Sequence, residues 1–166
     1  MEIEIRPAPY DSAAALELIE AVQGEYELRY GGRDSTPVSP QEFAPPLGAF
    51  FVAFLDGRPV GCGGFRTVGD AVGEIKRMYV RPDARQRGVA RALLSGLEKA
   101  AVAAGCREMI LETGSKQPEA LALYASSGYA PVPAFGTYQC APGARHLGKS
   151  LTTGMVAAPV SSRASA

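Results

Sequence analysis

Arg77-Met78-Tyr79-Val80-Arg81-Pro82-Asp83-Ala84-Arg85-Gln86-Arg87-Gly88-Val89-Ala90-Arg91 is the stretch from which the rest of the chain can be read. A strand ending near Pro82 runs into an amphipathic helix over 88–104. Val89, Leu93, Leu94, Leu97 and Ala101 share one face of that helix, and Gly105 closes it. The arginines stand at its unfavourable end. A helix N-terminus carries partial positive charge and free N–H groups, so Arg85, Arg87 and Arg91 cost stability there unless an anion lies among them. Gly88 and the small Ala90 let backbone amides approach phosphate oxygens, and the arginines add charge-assisted hydrogen bonds. The residues read as a pyrophosphate site. A solvated basic turn, with Gly88 serving only to start the helix, is the alternative that spacing leaves open.

Upstream, apolar runs at 49–55 and 59–68 are joined by Asp56-Gly57, a hairpin signal. Gly69-Asp70 with Gly73 marks a second turn before a strand at 74–81, which predicts an antiparallel meander. Gly61-Cys62-Gly63-Gly64 lies inside the second run and reads as a bulge or close-packing site, because it lacks the spacing of a dinucleotide loop. From Tyr26 to Gly48 the composition turns to Gly, Pro and charge, which predicts a mobile or substrate-facing segment. At the start, residues 2–6 alternate and stop at Pro7. Asp11 or Ser12 can then cap a helix with Leu16, Ile19 and Val22 on one face.

Downstream, a strand is expected over 107–113. A short helix begins at Pro118 and stops before Gly128, with Leu121, Tyr124 and Ala125 on one face. Segments near 129–139 and 145–151 form a closing β-pair, and the remaining residues through Ala166 are small and polar enough to fray. The order β-α-βββ-α-β-α-ββ is α+β, with a mixed sheet covered by helices.

At 166 residues, 46% hydrophobic and 20% charged, the chain suits one folded domain and excludes disorder throughout. Lys+Arg and Asp+Glu are equal at 17 each, so no basic excess favours nucleic acid or an anionic membrane. Cys62, Cys106 and Cys140 are widely spaced and odd in number, which reads as free thiols in a reducing compartment. No signal peptide or membrane-spanning run is present, so a cytoplasmic protein is expected.

Arg85-x-x-Gly88-x-Ala90 resembles the Q/R-x-x-G-x-G/A motif of the Gcn5-related N-acetyltransferase (GNAT) superfamily. Leu123-Tyr124-Ala125-Ser126-Ser127-Gly128-Tyr129 is similar to that family's second motif, L-Y-x-x-x-G-F/Y. The chain also resembles a bacterial subset with L-E-T-G, Q-P-E-A and F-G-x-Y, here Leu111 to Gly114, Gln117 to Ala120 and Phe135 to Tyr138. The resemblance covers about residues 2–152, taken as a single domain 1–152 with a flexible tail at 153–166. It implies a GNAT-like twisted sheet of about seven strands, mostly antiparallel and flanked by helices, with acetyl-CoA as cosubstrate. Met78, Tyr79 and Val80 would hold the pantetheine arm. Arg85, Gln86, Arg87, Gly88, Val89, Ala90 and Arg91 would hold the pyrophosphate, and Gln117 is placed with the same contacts.

A competing motif is Gly143-Ala144-Arg145-His146-Leu147-Gly148-Lys149-Ser150, which satisfies the G-x-x-x-x-G-K-S phosphate-loop pattern. A phosphate loop needs a helix after it. Leu151-Thr152-Thr153-Gly154 starts one poorly, and Pro159 comes soon after, so the match reads as coincidence within the last strand.

Acetyl transfer to an amine has two proton problems: the acceptor is mostly ammonium near neutrality, and the thiolate leaving group needs a proton. Glu74 stands where the resemblance implies a catalytic glutamate, and is the base candidate. A strand-end carboxylate paired with Lys76 or Arg66 is the plainer account of it. Glu112 is the second candidate, because its strand diverges from its neighbour at the reaction centre in this family. Tyr124 resembles the family's proton donor to the CoA sulfur, and a backbone N–H near Met78 or Tyr79 would meet the developing oxyanion. His146 has no nucleophile pattern near it and reads as a surface or strand residue. No metal is required. The acceptor expected is the primary amine of a small molecule. A protein acceptor, a non-catalytic acyl-CoA sensor and a homodimeric state are left open.

Overall fold

The computed structural model describes residues 1–151. Ile3–Pro7 (β1) and Ala13–Tyr30 (α1) come first, then Gly48–Leu55 (β2), Arg58–Gly69 (β3) and Val72–Val80 (β4). Val89–Ala103 (α2), Glu108–Gly114 (β5), Pro118–Ser126 (α3), Ala130–Pro131 (β6) and Ala144–Ser150 (β7) follow among the described residues, in the order read from the sequence. The seven strands form one sheet ordered β1-β2-β3-β4-β5-β7-β6. Only β4 and β5 run parallel. The tail expected from 153 onward lies outside the described residues.

Alternation along β2 decides which helix covers which face. Phe50 and Val52 pack with Ala15, Leu18 and Ile19 of α1. Ala53 and Leu55 point the other way, toward Val89 and Leu93 of α2. The expected stripe of α2 is buried in full. The α1 stripe keeps Ile19 and Val22 as expected but replaces Leu16, which is exposed, with Ala15 and Leu18, giving an i, i+3, i+4, i+7 set. Ser12 caps α1 by accepting from the Ala15 N–H at 3.4 Å.

Other boundaries also differ from expectation. The helix continues through Tyr30 and ends on Gly31 in the left-handed region, so the composition change at Tyr26 does not mark the end of regular structure. Pro7 belongs to β1 and pairs with Phe51 at the sheet edge. On α3 only Tyr124 is buried, and Ala125 is exposed. The strand expected over 129–139 shrinks to Ala130–Pro131, because Pro131 and Pro133 lack the N–H groups that a longer ladder needs.

One irregularity shapes the middle of the sheet. Cys62 pairs with Tyr79 and Gly64 with Lys76, so Arg77 and Met78 together face Gly63 as a β-bulge. Arg77 takes the left-handed conformation there, φ 60°, where a non-glycine residue costs about 1 kcal/mol or more. Its carbonyl accepts from the Cys62 thiol at 3.2 Å, and its guanidinium pairs with Asp34. The glycine cluster of β3 is the close-packing site expected. A Cβ on Gly63 would meet Met78 Sδ at 2.6 Å, and one on Gly64 would meet the Phe50 ring at 2.6 Å.

Candidate active site

The bulged pair Arg77 and Met78 lies past the point where β4 stops pairing with its parallel neighbour. Pairing between β4 and β5 stops at Glu74↔Ile110, the third residue pair. Beyond that point the strands splay, and a cavity of about 440 Å³ opens between them. Its walls are Ile75 to Met78 of β4, Leu111 to Gly114 of β5, Gln117 with Ala120 and Tyr124 of α3, Tyr26 and Tyr30 of α1 with the segment after it, and the loop before β7 that carries Tyr138. The leucine-glutamate-threonine-glycine motif is therefore one wall. Gly114 is required there by the Tyr30 hydroxyl, which a Cβ would meet at 2.0 Å.

Of the two carboxylate candidates, Glu112 lines this cavity. Glu74 does not, and makes the ion pair weighed for it from sequence: Arg66 Nε stands 3.1 Å from Glu74 Oε1. Arg66 also bonds Glu42 at 2.9 Å and the Pro37 carbonyl at 2.8 Å, so this cluster anchors the turn before β2. Burial pushes the Glu112 carboxyl up to about 7. Lys76 opposes the shift, and Asp34 and Glu74 add to it. Across β5 and β7, Glu112 is the direct neighbour of His146.

Tyr124 lines the cavity, is 5% exposed, and meets Tyr129 edge-on at 5.6 Å between centroids. Burial pushes its hydroxyl up, so it stays protonated throughout the neutral range.

The segment read as mobile or substrate-facing contributes Gly32 to Ser35 to the cavity wall. Asp34 Oδ1 accepts from the Thr36 N–H at 2.9 Å and from the Tyr138 hydroxyl at 3.0 Å. Its Oδ2 faces Arg77 and Lys76, the latter at 3.3 Å. Burial alone would raise this carboxyl. Lys76, the Thr36 N–H and Arg77 outweigh that and hold it well below the usual range. Asp34, Tyr138 and Tyr26 were absent from the sequence candidates. The F-G-x-Y motif was the only signal for Tyr138, and nothing local marks Asp34.

At the other end of β4, Gly88 caps α2 with φ 85° and no side chain bonds that end. Gln86, Arg87, Gly88 and Arg91 are exposed, while Val80 and Val89 are buried, so the latter two offer only backbone atoms. Arg85 turns inward, bonding the Val80 carbonyl at 2.9 Å and Glu25 at 2.8 Å. Arg91 reaches Ser126 at 2.9 Å and Ser127 at 3.3 Å, joining the start of α2 to the end of α3. The G-x-x-x-x-G-K-S match falls in β7, paired with β5, and Lys149 bonds Glu98 at 2.9 Å.

A sheet that splays at a bulge, with a glycine-capped helix at one mouth of the cleft, can be compared with known proteins. The acetyltransferase (GNAT) family model matches residues 16–129. The chain belongs to this family. An IAA acetyltransferase of Azospirillum brasilense is 36% identical over 126 residues, 75% of this chain and 82% of that protein. Among solved structures, a Klebsiella pneumoniae protein provisionally named acyl-CoA N-acyltransferase is 30% identical, with TM-score 0.76 over 90% of this chain and 97% of that one. The PaiA N-acetyltransferase of Thermoplasma acidophilum, solved with coenzyme A, is 18% identical with TM-score 0.66, over 90% and 99% of the two chains, and shows the shared fold. This GNAT acetyltransferase has no helix among its described residues long and apolar enough to cross a membrane.

Proposed function

We propose that this acetyltransferase moves an acetyl group from acetyl-CoA to the primary amine of a small molecule, with Glu112 taking the ammonium proton and Tyr124 giving a proton to the departing thiolate. The observation that carries this reading is that both groups line one cavity, at the point where the splay of β4 and β5 frees a strand edge. A carboxyl pushed up to about 7 is matched to removing a proton near neutrality. Glu74, the first candidate from sequence, gives way to Glu112 because Arg66 engages its carboxylate and it is not among the cavity's walls.

The donor side rests on the same geometry. The free edge of β4 at Met78 to Val80 suits the amide-bearing pantetheine arm, and the uncapped amides of Gly88 to Arg91 suit a pyrophosphate. Arg87 and Arg91 are exposed and can turn to it, whereas Arg85 supports the loop through Glu25. A small acceptor is favoured by the walling of the cavity with Tyr26, Tyr30 and Tyr138, and by the relative whose name points to a small molecule.

The test is a panel of small amines with acetyl-CoA, monitored by thiol release. Turnover is expected for at least one. Glu112→Gln should lower it by roughly 100-fold or more, and Glu74→Gln far less. Coenzyme A binding without thiol release across the panel would support a sensor instead.

A further inference from the structure

His146 is the one histidine in the chain and the proposed chemistry leaves it unused. Its side chain is 6% exposed, and Nε2 has no hydrogen-bond partner among the described residues. A buried polar nitrogen left unpaired is destabilising, because it has lost its water partners and gained no other. The atom it faces is Glu112 Oε2, 3.8 Å away. The two residues are direct partners in the antiparallel β5–β7 ladder, so the backbone fixes their side chains on one face. Phe135 holds the imidazole edge-on at 5.0 Å between centroids. Closing the gap to hydrogen-bond length takes a movement of about 0.9 Å, within reach of a small rotation of the carboxyl.

We propose that Glu112 and His146 form a proton-sharing pair, in which His146 takes over the proton that Glu112 removes from the acceptor ammonium. This rests on Glu112 as the base. Transfer from an ammonium to an amide releases one proton overall. Glu112 accepts the first N–H proton, freeing the nitrogen lone pair to attack the thioester carbonyl. The carbon–sulfur bond breaks, and the thiolate receives a proton through Tyr124 while the nitrogen gives up its second. The first proton remains with the pair. Passing it to Nε2 restores the Glu112 carboxylate beside Lys76 and makes an imidazolium–carboxylate bond in place of the orphaned nitrogen.

The charged groups around Glu112 are Lys76 and Glu74 from β4, Asp34 from the segment after α1, and His146 from β7. Lys76 and Asp34 are paired with each other, so His146 is the neighbour left to exchange a proton. With two places for one proton, the pair binds it more tightly than Glu112 alone. His146 acts through Glu112 and is a positioning residue.

A single histidine makes its imidazole resonance unambiguous in untagged full-length protein. Two measurements test the pair: nitrogen-15 titration of that imidazole in parent and Glu112→Gln, and kcat/KM against pH in parent and His146→Gln. Glu112→Gln removes the anion that faces Nε2 at 3.8 Å, so the imidazole should hold its proton less tightly in the variant than in the parent. His146→Gln should move the acid limb of kcat/KM to lower pH by about one unit and cut turnover about tenfold, with coenzyme A affinity unchanged. Turnover of the double variant should equal that of Glu112→Gln. An imidazole midpoint unmoved in Glu112→Gln overturns the pair even if His146→Gln fails to fold, and so does an unmoved acid limb in folded His146→Gln. Parental turnover in Glu112→Gln overturns the base assignment and the pair together.

Discussion

The Tyr138 hydroxyl donates to Asp34 Oδ1 at 3.0 Å, across 104 positions of the chain. The Ser35 N–H donates to the same hydroxyl at 2.7 Å, so the segment after α1 and the loop before β7 are stitched together beside the cavity. Tyr138→Phe keeps the ring and removes the stitch. We expect the acceptor KM to rise about tenfold with a stability loss near 1 kcal/mol. Steady-state kinetics beside a urea titration checks both.

Asp34→Asn should act differently, because it leaves the buried Lys76 and Arg77 without their shared anion. A loss of about 3 kcal/mol is expected near neutrality. The Asp34 carboxyl is held below its unfolded value, so its contribution is present above an unfolded value of about 3.9 and fades as pH falls through the folded one. The difference between parent and variant should therefore narrow on acidification. A gap that stays constant down to acid pH would place the effect elsewhere.

Glu112 carries the opposite sign. Its folded value, about 7, lies above the ordinary glutamate value of about 4.3, so the native state binds the proton more tightly than the unfolded chain. Stability should fall as pH rises across that window, and the cost is complete above it. Glu112→Gln removes the cost: the variant should match the parent near pH 4 and exceed it by on the order of 1–2 kcal/mol at pH 8. Denaturant midpoints at the two pH values decide this, and an equal gain at both would mean that ionisation is not its source.

Local signals carried most of the fold into view. The Asp56-Gly57 turn, the α2 stripe and the Pro118 and Gly128 boundaries all act through neighbours in sequence, and each lies where the residues indicate. Two misplaced boundaries had local signals, Gly31 after α1 and Pro131 with Pro133 at β6, but the α1 stripe is an error that neighbours cannot decide. Leu16 and Leu18 fit a helix equally well, and only the packing of α1 on Phe50 and Val52 selects Leu18. The site was half legible for the same reason. Glu112 and Tyr124 sit in motifs, but the bulge at Arg77 is held by Asp34, 43 positions away, and no local pattern announces a left-handed arginine inside a strand.

Gly88 separates backbone geometry from crowding. An added Cβ would meet only Ile3 Cδ1, at 3.9 Å, so space permits a side chain and the φ of 85° opposes one. Gly88→Val should lose about 1–2 kcal/mol and weaken coenzyme A binding at least tenfold, whereas Gly88→Asn, which tolerates this conformation, should lose less of each. Calorimetry with coenzyme A on both folded variants is the measurement. Parental affinity in Gly88→Val would remove this loop from the phosphate site.

Tyr124 is at once a core residue and the proposed acid, and one substitution tells these roles apart. Its ring packs against Tyr129 and the cluster that contains Leu111 and Leu147, contacts that a phenyl ring keeps. Tyr124→Phe should therefore change the melting temperature by no more than a few degrees. The hydroxyl is what the substitution removes. If it supplies the thiolate's proton, turnover should fall by roughly 10- to 1000-fold, with coenzyme A affinity altered much less. The pattern is diagnostic because a thiol ester with a more acidic leaving group needs less help. Replacing acetyl-CoA with an acetyl thioester of low leaving-group pKa should recover much of the lost rate in Tyr124→Phe and little in Glu112→Gln. Turnover close to the parent's in the folded variant, or no recovery with the activated thioester, would leave Tyr124 as packing alone.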